Sequence, residues 1–303
     1  MVKARQALGT SCPLFWIGDP RHLPRGTAWQ EIGGPADSAA VPSERLPVLV
    51  HRFPEASVPG QPDPRNAQGV IDVIESAARM AMSGTVAAIC TAPISKKILK
   101  DGAGFAFPGH TEFLGEIGGV KRVVMMLACP ELRVVPVTIH IPLAQVAPAL
   151  SAALIDETIR VTATALRQDF GIEQPRIAVA GLNPHAGEGG AIGTEEITVI
   201  MPALDQLRSE GFQIAGPLPA DTMFHPAARA RYDVAVAMYH DQALIPIKAI
   251  DFAGGVNVSL GLPFVRTSPD HGTAFDIAGL GTADPTSMIA ALRMAADLGR
   301  RRM

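Results

Sequence analysis

The chain has 303 residues, 48% of them hydrophobic and 18% charged, and a formal net charge of −3. That balance describes a globular protein with a sizeable core and excludes a disordered chain. The weak negative charge excludes a general attraction to nucleic acid. Cys12, Cys90 and Cys129 are an odd number, far apart and without Cys-x-x-Cys pairing. They argue against a disulfide framework or a thiolate zinc site and fit a reducing cytoplasm. No stretch is long and apolar enough to span a membrane, and the opening residues lead into no signal core. The length leaves room for two domains.

In chain order, residues 12–18 read as a short buried strand ended by Gly18-Asp19-Pro20, and 46–53 as another. The remainder of 20–68, rich in Pro, Gly and Ser, gives weak signals. Asp63 and Pro64 then supply an N-cap and a first-turn proline to a helix. Its apolar positions, Val70, Ile74, Ala77, Ala78 and Ala81, recur at helical spacing until Gly84. A strand over 86–90 feeds Thr91-Ala-Pro-Ile-Ser95-Lys96-Lys97, a strand–turn–helix whose first amides suit an anion. Ser95 and Lys96 would assist; a capped helix with solvated lysines is the equal alternative. Residues 101–119 read as a glycine-rich loop.

Strands at 122–127 and 134–139 follow, the second ending at His140. After a short helix at Pro142 and a long one over 152–170 comes a strand, 175–181, ending in the polar loop 183–190. A helix runs from Gly193 to Glu210, and 216–222 reads as a loop before the apolar strand 233–238. Tyr239, His240, Asp241 and Gln242 crowd the end of that strand. Lys248, Asn257 and Arg266 lie in segments dense with Gly and Pro. The last helix has Asp284 as N-cap and Pro285 at its first position. Strands alternating with helices predict an α/β protein with a mainly parallel sheet and ligands at the carboxyl ends of its strands.

Three of the eight histidines, His140, His185 and His240, stand just beyond three different strands. Parallel strands bring such ends to one rim, and three imidazoles with an open position suit a catalytic metal. Histidines bonded to backbone near a rim are the competing reading. Asp221 and Asp241, in neighbouring loops, either orient an imidazole, transfer a proton or simply form turns. Lys248, Arg266, Asn257, His110 and Thr111 offer the donors that a phosphate or carboxylate requires.

Several long stretches resemble the 4-hydroxythreonine-4-phosphate dehydrogenases of pyridoxal phosphate synthesis. They are Pro108-Gly-His-Thr-Glu-Phe-Leu114, Gly181-Leu-Asn-Pro-His-Ala-Gly-Glu-Gly-Gly190, Gly216-Pro-Leu-Pro-Ala-Asp-Thr222, Met238-Tyr-His-Asp-Gln242 and the run from Gly255 to Ala274. The likeness covers roughly residues 85–303. The family's usual opening strand and Gly-Asp-Pro-Ala-Gly-Ile-Gly-Pro-Glu-like loop have no counterpart; Arg21-His22-Leu23 follows Gly18-Asp19-Pro20, and the reading places the start near the family's second strand.

The resemblance implies the isocitrate/isopropylmalate dehydrogenase-like fold, two α/β domains flanking a cleft, and a homodimer whose subunits share the active site. It implies a cofactor-side domain of residues 1–105 and 246–303, and a metal, substrate and dimerisation domain of 106–245. It places metal ligands at His140, His185 and His240 and substrate contacts at His110, Thr111, Lys248, Asn257 and Arg266. His271, Gly272, Thr273, Ala274 and Asp276 match its cofactor loop. The implied cofactors are NAD or NADP and a divalent ion (Zn, Mg, Mn or Co). The implied reaction oxidises 4-phosphooxy-L-threonine and then decarboxylates it; for its chemistry Asp241 or Asp221 is the candidate general base, and Lys248, which would hold an anionic end of the substrate, is the third catalytic candidate. Rival readings are a related dehydrogenase of another phosphorylated hydroxy acid or a cis-dihydrodiol, a metal-dependent hydrolase, and a non-catalytic metabolite-binding protein.

Overall fold

The computed structural model describes residues 1–302, which divide into two compact units: residues 1–123 with 262–301, and residues 124–261 with 302. The divisions fall at 123/124 and 261/262, against the 105/106 and 245/246 of the sequence-based boundaries.

The first unit opens with α1 (Val2–Leu8), β1 (Trp16–Gly18), β2 (Trp29–Glu31) and β3 (Leu46–Val50). The strands form a parallel sheet in the order β1-β3-β2, and Leu46 and Val48 of β3 are buried against Ala4 and Leu8 of α1. Neither α1 nor β2 was expected, because both are too short to show a period. Gly18-Asp19-Pro20 proves to be a structural corner. The Asp19 carboxylate, fully buried, accepts from the backbone N–H groups of Arg21 and Phe53, both at 2.9 Å, and from the Arg21 guanidinium. Burial pushes its pKa up. The hydrogen bonds outweigh that and hold it well below the usual carboxylate range.

α2 (Ala67–Met82) buries Ile74 and Ala78 as the spacing predicts, together with Ile71, while Val70, Ala77 and Ala81 are only partly buried against the same cluster. β4 (Ala88–Cys90) and α3 (Lys96–Ala103) follow, α3 closed by Gly104 in the left-handed conformation at φ +63°. Residues 101–119 are not simply a loop: α4 (His110–Ile117) lies within them. Its glycines mask the pattern, but Phe113 and Leu114 are buried beside Ile71, Ile74 and Phe105. Each such side chain contributes about 1.5–3 kcal/mol of transfer free energy, enough to override weak helix formers.

The second unit contains β5 (Val124–Cys129), β6 (Leu132–Thr138), α5 (Val146–Ala149), α6 (Ala152–Gln168), β7 (Arg176–Ala180) and α7 (Met201–Ser209). It continues with β8 (Gln213–Leu218), α8 (Pro226–Arg229), β9 (Val234–Tyr239), α9 (His240–Ile250) and β10 (Val256–Leu260). Its strands run β10-β5-β6-β9-β7-β8. β6, β9, β7 and β8 are parallel, whereas β5 pairs antiparallel with both β6 and β10. The sheet core is almost entirely apolar, with Val134, Val179, Ala235 and Val236 buried.

Three segments depart from the sequence reading. Gly216-Pro-Leu belongs to β8, which ends the strand order, where a proline is tolerated. The polar residues after β9 are the first turn of α9, which continues past an internal Pro246. Asn257 and Arg266 sit on strands, β10 and β11 (Val265–Pro269), that flanking Gly and Pro had concealed. Back in the first unit, β11 pairs in parallel with β4, and α10 (Thr286–Arg302) begins as predicted, Asp284 accepting the Thr286 N–H at 2.8 Å.

Candidate active site

Within the second unit, β6, β9 and β7 are neighbouring parallel strands, so their carboxyl ends share one rim. His140 follows β6, His240 opens α9 directly after β9, and His185 lies in the turn after β7. The rings of His140 and His240 approach to 5.8 Å between centroids, tilted by 41°. Two imidazoles on one ion, each with a metal–nitrogen bond of about 2 Å, hold their centroids roughly 5–6 Å apart, so this pair fits a shared cation. The Nδ1 of His240 bonds the Asp241 carboxylate at 2.7 Å. A carboxylate on one ring nitrogen sets the imidazole's orientation and leaves Nε2 for a ligand.

His185 sits in an unusual backbone. Residues 185–189 all take left-handed angles, His185 at φ +53°, Ala186 at +53° and Glu188 at +47°. His140 is left-handed too, at φ +55°. Such a conformation costs each non-glycine residue roughly 1–2 kcal/mol, so the surroundings must enforce it. Glu196, 2% exposed, is the clamp. Its carboxylate accepts from the Asn183 N–H at 2.7 Å and the Asn183 amide at 2.9 Å. A Cβ on Gly187 would lie 2.6 Å from that carboxylate, so glycine is required there for space as well as for its φ of +78°. Gln242 staples the same rim: its amide donates to Gly181 O at 2.8 Å and its carbonyl accepts the Met238 N–H at 2.7 Å.

All three histidines therefore reach one rim, but their ligand atoms do not gather within one chain. Among the described residues, the set of three donors whose ligand atoms lie within 4.8 Å of one another is Cys129, Glu131 and Asp251. That set lies past the opposite end of β6, where Cys129 pairs with Leu132. Burial pushes the Cys129 thiol up, so at neutral pH it is protonated and a poor ligand. Asp221 is exposed on a turn packed near the His185 loop.

In the first unit a second constellation forms. Arg266, the second residue of β11 and 5% exposed, points its guanidinium at Thr91, whose Oγ1 accepts from Nη2 at 2.8 Å. Burial lowers the Arg266 pKa to about 10, so it stays charged at neutral pH. His110 opens α4 nearby; burial and then the Arg266 charge push its pKa down to about 3. Its ring is neutral, and its Nε2 is sealed from solvent with no hydrogen-bond partner. An orphaned ring nitrogen beside a buried cation is what a bound anion would satisfy.

Thr111 follows on the same helix, half-buried. Of the predicted helpers, Ser95 makes no cap bond; the adjacent Lys97 pairs with Asp101 at the surface. Lys96 comes near Gly109 at the start of α4. Lys248 stands in the last turn of α9, its ammonium 5.8 Å from the Phe252 ring centre. The buried Oδ1 of Asn257, on β10, lacks a partner. His271, Gly272, Thr273, Ala274 and Asp276 form an exposed loop after β11, with Ala274 left-handed at φ +48°. Thr91, Gln242 and Glu196 are the residues that motif reading did not assign to a site. The turn after β4 was the only local signal for Thr91, and Glu196 had none.

The chain matches the family model for the pyridoxal phosphate biosynthetic protein PdxA over residues 10–295. It is 60% identical over 303 residues to the 4-hydroxythreonine-4-phosphate dehydrogenase of Paracoccus denitrificans, covering 99% of this chain and 94% of that one. The 4-hydroxythreonine-4-phosphate dehydrogenase crystal structure from Klebsiella pneumoniae superimposes with a TM-score of 0.90 at 37% identity, over 98% of this chain and 93% of that one. A terephthalate 1,2-cis-dihydrodiol dehydrogenase from Burkholderia xenovorans is more distant, with a TM-score of 0.63 and 31% identity over 83% of this chain and 80% of that one. A family model spanning nearly the whole chain, on a backbone this close to solved members, decides the matter: the chain belongs to the PdxA family, with its isocitrate/isopropylmalate dehydrogenase-like α/β fold.

Proposed function

We propose that this protein is an NAD(P)-dependent 4-hydroxythreonine-4-phosphate dehydrogenase of pyridoxal phosphate biosynthesis. It oxidises the secondary hydroxyl of 4-phosphooxy-L-threonine and releases carbon dioxide to leave 3-amino-2-oxopropyl phosphate. The observation that carries this reading is 60% identity, over essentially the full length, to a relative of that name. The rival cis-dihydrodiol substrate is supported by a likeness of 31%. It carries no phosphate for the buried Arg266 and His110 to bind. No observation favours the hydrolase or the non-catalytic binding protein.

Arg266 supplies a charge-assisted donor to the phosphate, and neutral His110 a hydrogen bond from the nitrogen now without a partner. Thr111, Lys248 and Asn257 complete the substrate contacts. His140, His185 and His240 would hold a divalent ion (Zn, Mg, Mn or Co), which when bound acidifies a coordinated hydroxyl. Asp241, bonded to His240 Nδ1, orients that ring, so Asp221 is the freer of the two candidate bases for the hydroxyl proton. The loop carrying His271, Gly272, Thr273, Ala274 and Asp276 would hold NAD or NADP, which accepts the hydride. The cofactor role thus falls to the first unit, and the metal role to the second.

The family's homodimer with a shared active site is part of the same proposal. Leu143 and Ile245, 70% and 66% exposed, lie near His140 and His240 in sequence, and a second copy would cover them. It would also let the rim histidines complete one donor set. A cytoplasmic location agrees with three free thiols; among the described residues no helix is long and apolar enough to cross a membrane. The test is NADH or NADPH formation from 4-phosphooxy-L-threonine, abolished by a chelator and restored by added metal. Turnover of a cis-dihydrodiol in preference to the phosphorylated substrate would overturn the assignment.

A further inference from the structure

Thr91 lies one residue beyond β4, and its backbone N–H donates to Thr267 O at 3.0 Å, so the pairing of β4 with β11 continues past the last ladder pair. That bond fixes where the Thr91 side chain begins. Its hydroxyl oxygen accepts from Nε of Arg266 at 3.1 Å and from Nη2 at 2.8 Å. Two N–H groups on one edge of a planar guanidinium, converging on a single oxygen, define both the position and the rotation of that plane. The next residue, Thr267, anchors β11 by donating its hydroxyl to Ala291 O at 2.9 Å. Arginine and acceptor are thus set by one pair of adjacent, hydrogen-bonded strands.

We infer that Thr91 is a positioning residue for phosphate recognition: its hydroxyl orients the Arg266 guanidinium before substrate arrives. This rests on the reading of Arg266 as a phosphate ligand. Thr91 does not touch the reacting atoms. It acts by keeping a long, rotatable side chain in its binding conformation, so that less ordering remains to be done on binding. The hydroxyl oxygen, and not the methyl, is the group that matters.

The test uses the full-length, metal-loaded enzyme and compares Thr91→Val, which keeps the shape and removes the oxygen, with Thr91→Ser, which keeps the oxygen. Thr91→Val should raise KM for 4-phosphooxy-L-threonine about 10-fold, more than it changes kcat, in keeping with one lost hydrogen bond to a charged group. The competitive inhibition constant of inorganic phosphate should rise in parallel. Thr91→Ser should restore both to within about 3-fold. In an Arg266→Ala background, Thr91→Val should have no further effect on KM, because the oxygen then has nothing to orient.

A fall in thermal midpoint with KM unmoved, equal KM defects in the Val and Ser variants, or full additivity with Arg266→Ala would each overturn the inference and leave Thr91 a packing residue. If Arg266→Ala itself changes neither KM nor phosphate inhibition, the reading of Arg266 fails first and takes this one with it. Should Thr91→Val not fold, Thr91→Ala decides by the same assays.

Discussion

Around Arg266 the polar groups are buried inside a single unit and already held: a strand fixes the arginine, a neighbouring turn fixes its acceptor, and burial keeps His110 neutral. Around the histidine rim the polar groups are exposed at His140 and His185, two of them sit in strained left-handed backbone, and their ligand atoms do not gather within one chain. The first region has a fixed, pre-formed charge. The second has imidazoles aligned to one edge, and on the function proposed above an ion and a second copy would complete them. A buried cation has to be oriented by its own chain, since water cannot reach it to solvate it. Exposed imidazoles are solvated and need no such fixing.

That contrast breaks most sharply at the rim. His240→Ala and His185→Ala should each lose bound metal by elemental analysis and lower kcat by at least about 10²-fold, the scale of one lost electrostatic stabiliser. Retention of stoichiometric metal and full turnover in His185→Ala would reduce the rim to the His140–His240 pair. Arg266→Ala should leave metal content unchanged and raise KM for the phosphorylated substrate by roughly 10- to 150-fold, equivalent to about 1.5–3 kcal/mol. A change in metal content there would show that the two regions are not independent.

Asp241→Asn should keep the fold and weaken metal affinity about 10- to 100-fold, since it loses only the carboxylate on His240 Nδ1. A pH profile of kcat shifted with unchanged metal affinity would instead make Asp241 the base.

The smallest effect concerns His110. Its folded pKa of about 3 lies below the unfolded value, so between the two the unfolded chain binds the extra proton and stability falls as pH falls. Between pH 6.5 and 5 this amounts to about 1.6 kcal/mol, a window largely above carboxylate titration. Denaturant midpoints measured across it should flatten in His110→Gln. An unaltered slope would place the ring in water, and the buried region would lose one of its two groups.

Much of this was legible from residue order. α2 and α10 carried apolar spacing, α10 also its end signal, and β9 was an unbroken apolar run, whereas Asp63 and Pro64 cap a short 3-10 turn, Pro64–Asn66, just ahead of α2. The strand ends then pointed to His140, His185 and His240, and parallel pairing does bring them to one rim. β10, β11 and α4 were missed because glycine and proline around them dilute any period, while packing against Leu127, Ile89 and Phe105 fixes them all the same. β8 was missed as a strand because an edge position tolerates the Gly-Pro that reads as a turn.

Apolar periodicity and end-capping residues are local properties, visible in any window of a dozen positions, and they suffice for the main helices, the buried strands and the family's motifs. The left-handed turn at His185, the Glu196 clamp beneath it and the seating of Arg266 on Thr91 came into view only with the assembled fold. The last of these joins residues 175 apart, and a hydrogen bond across such a distance leaves no trace in the spacing of the residues between.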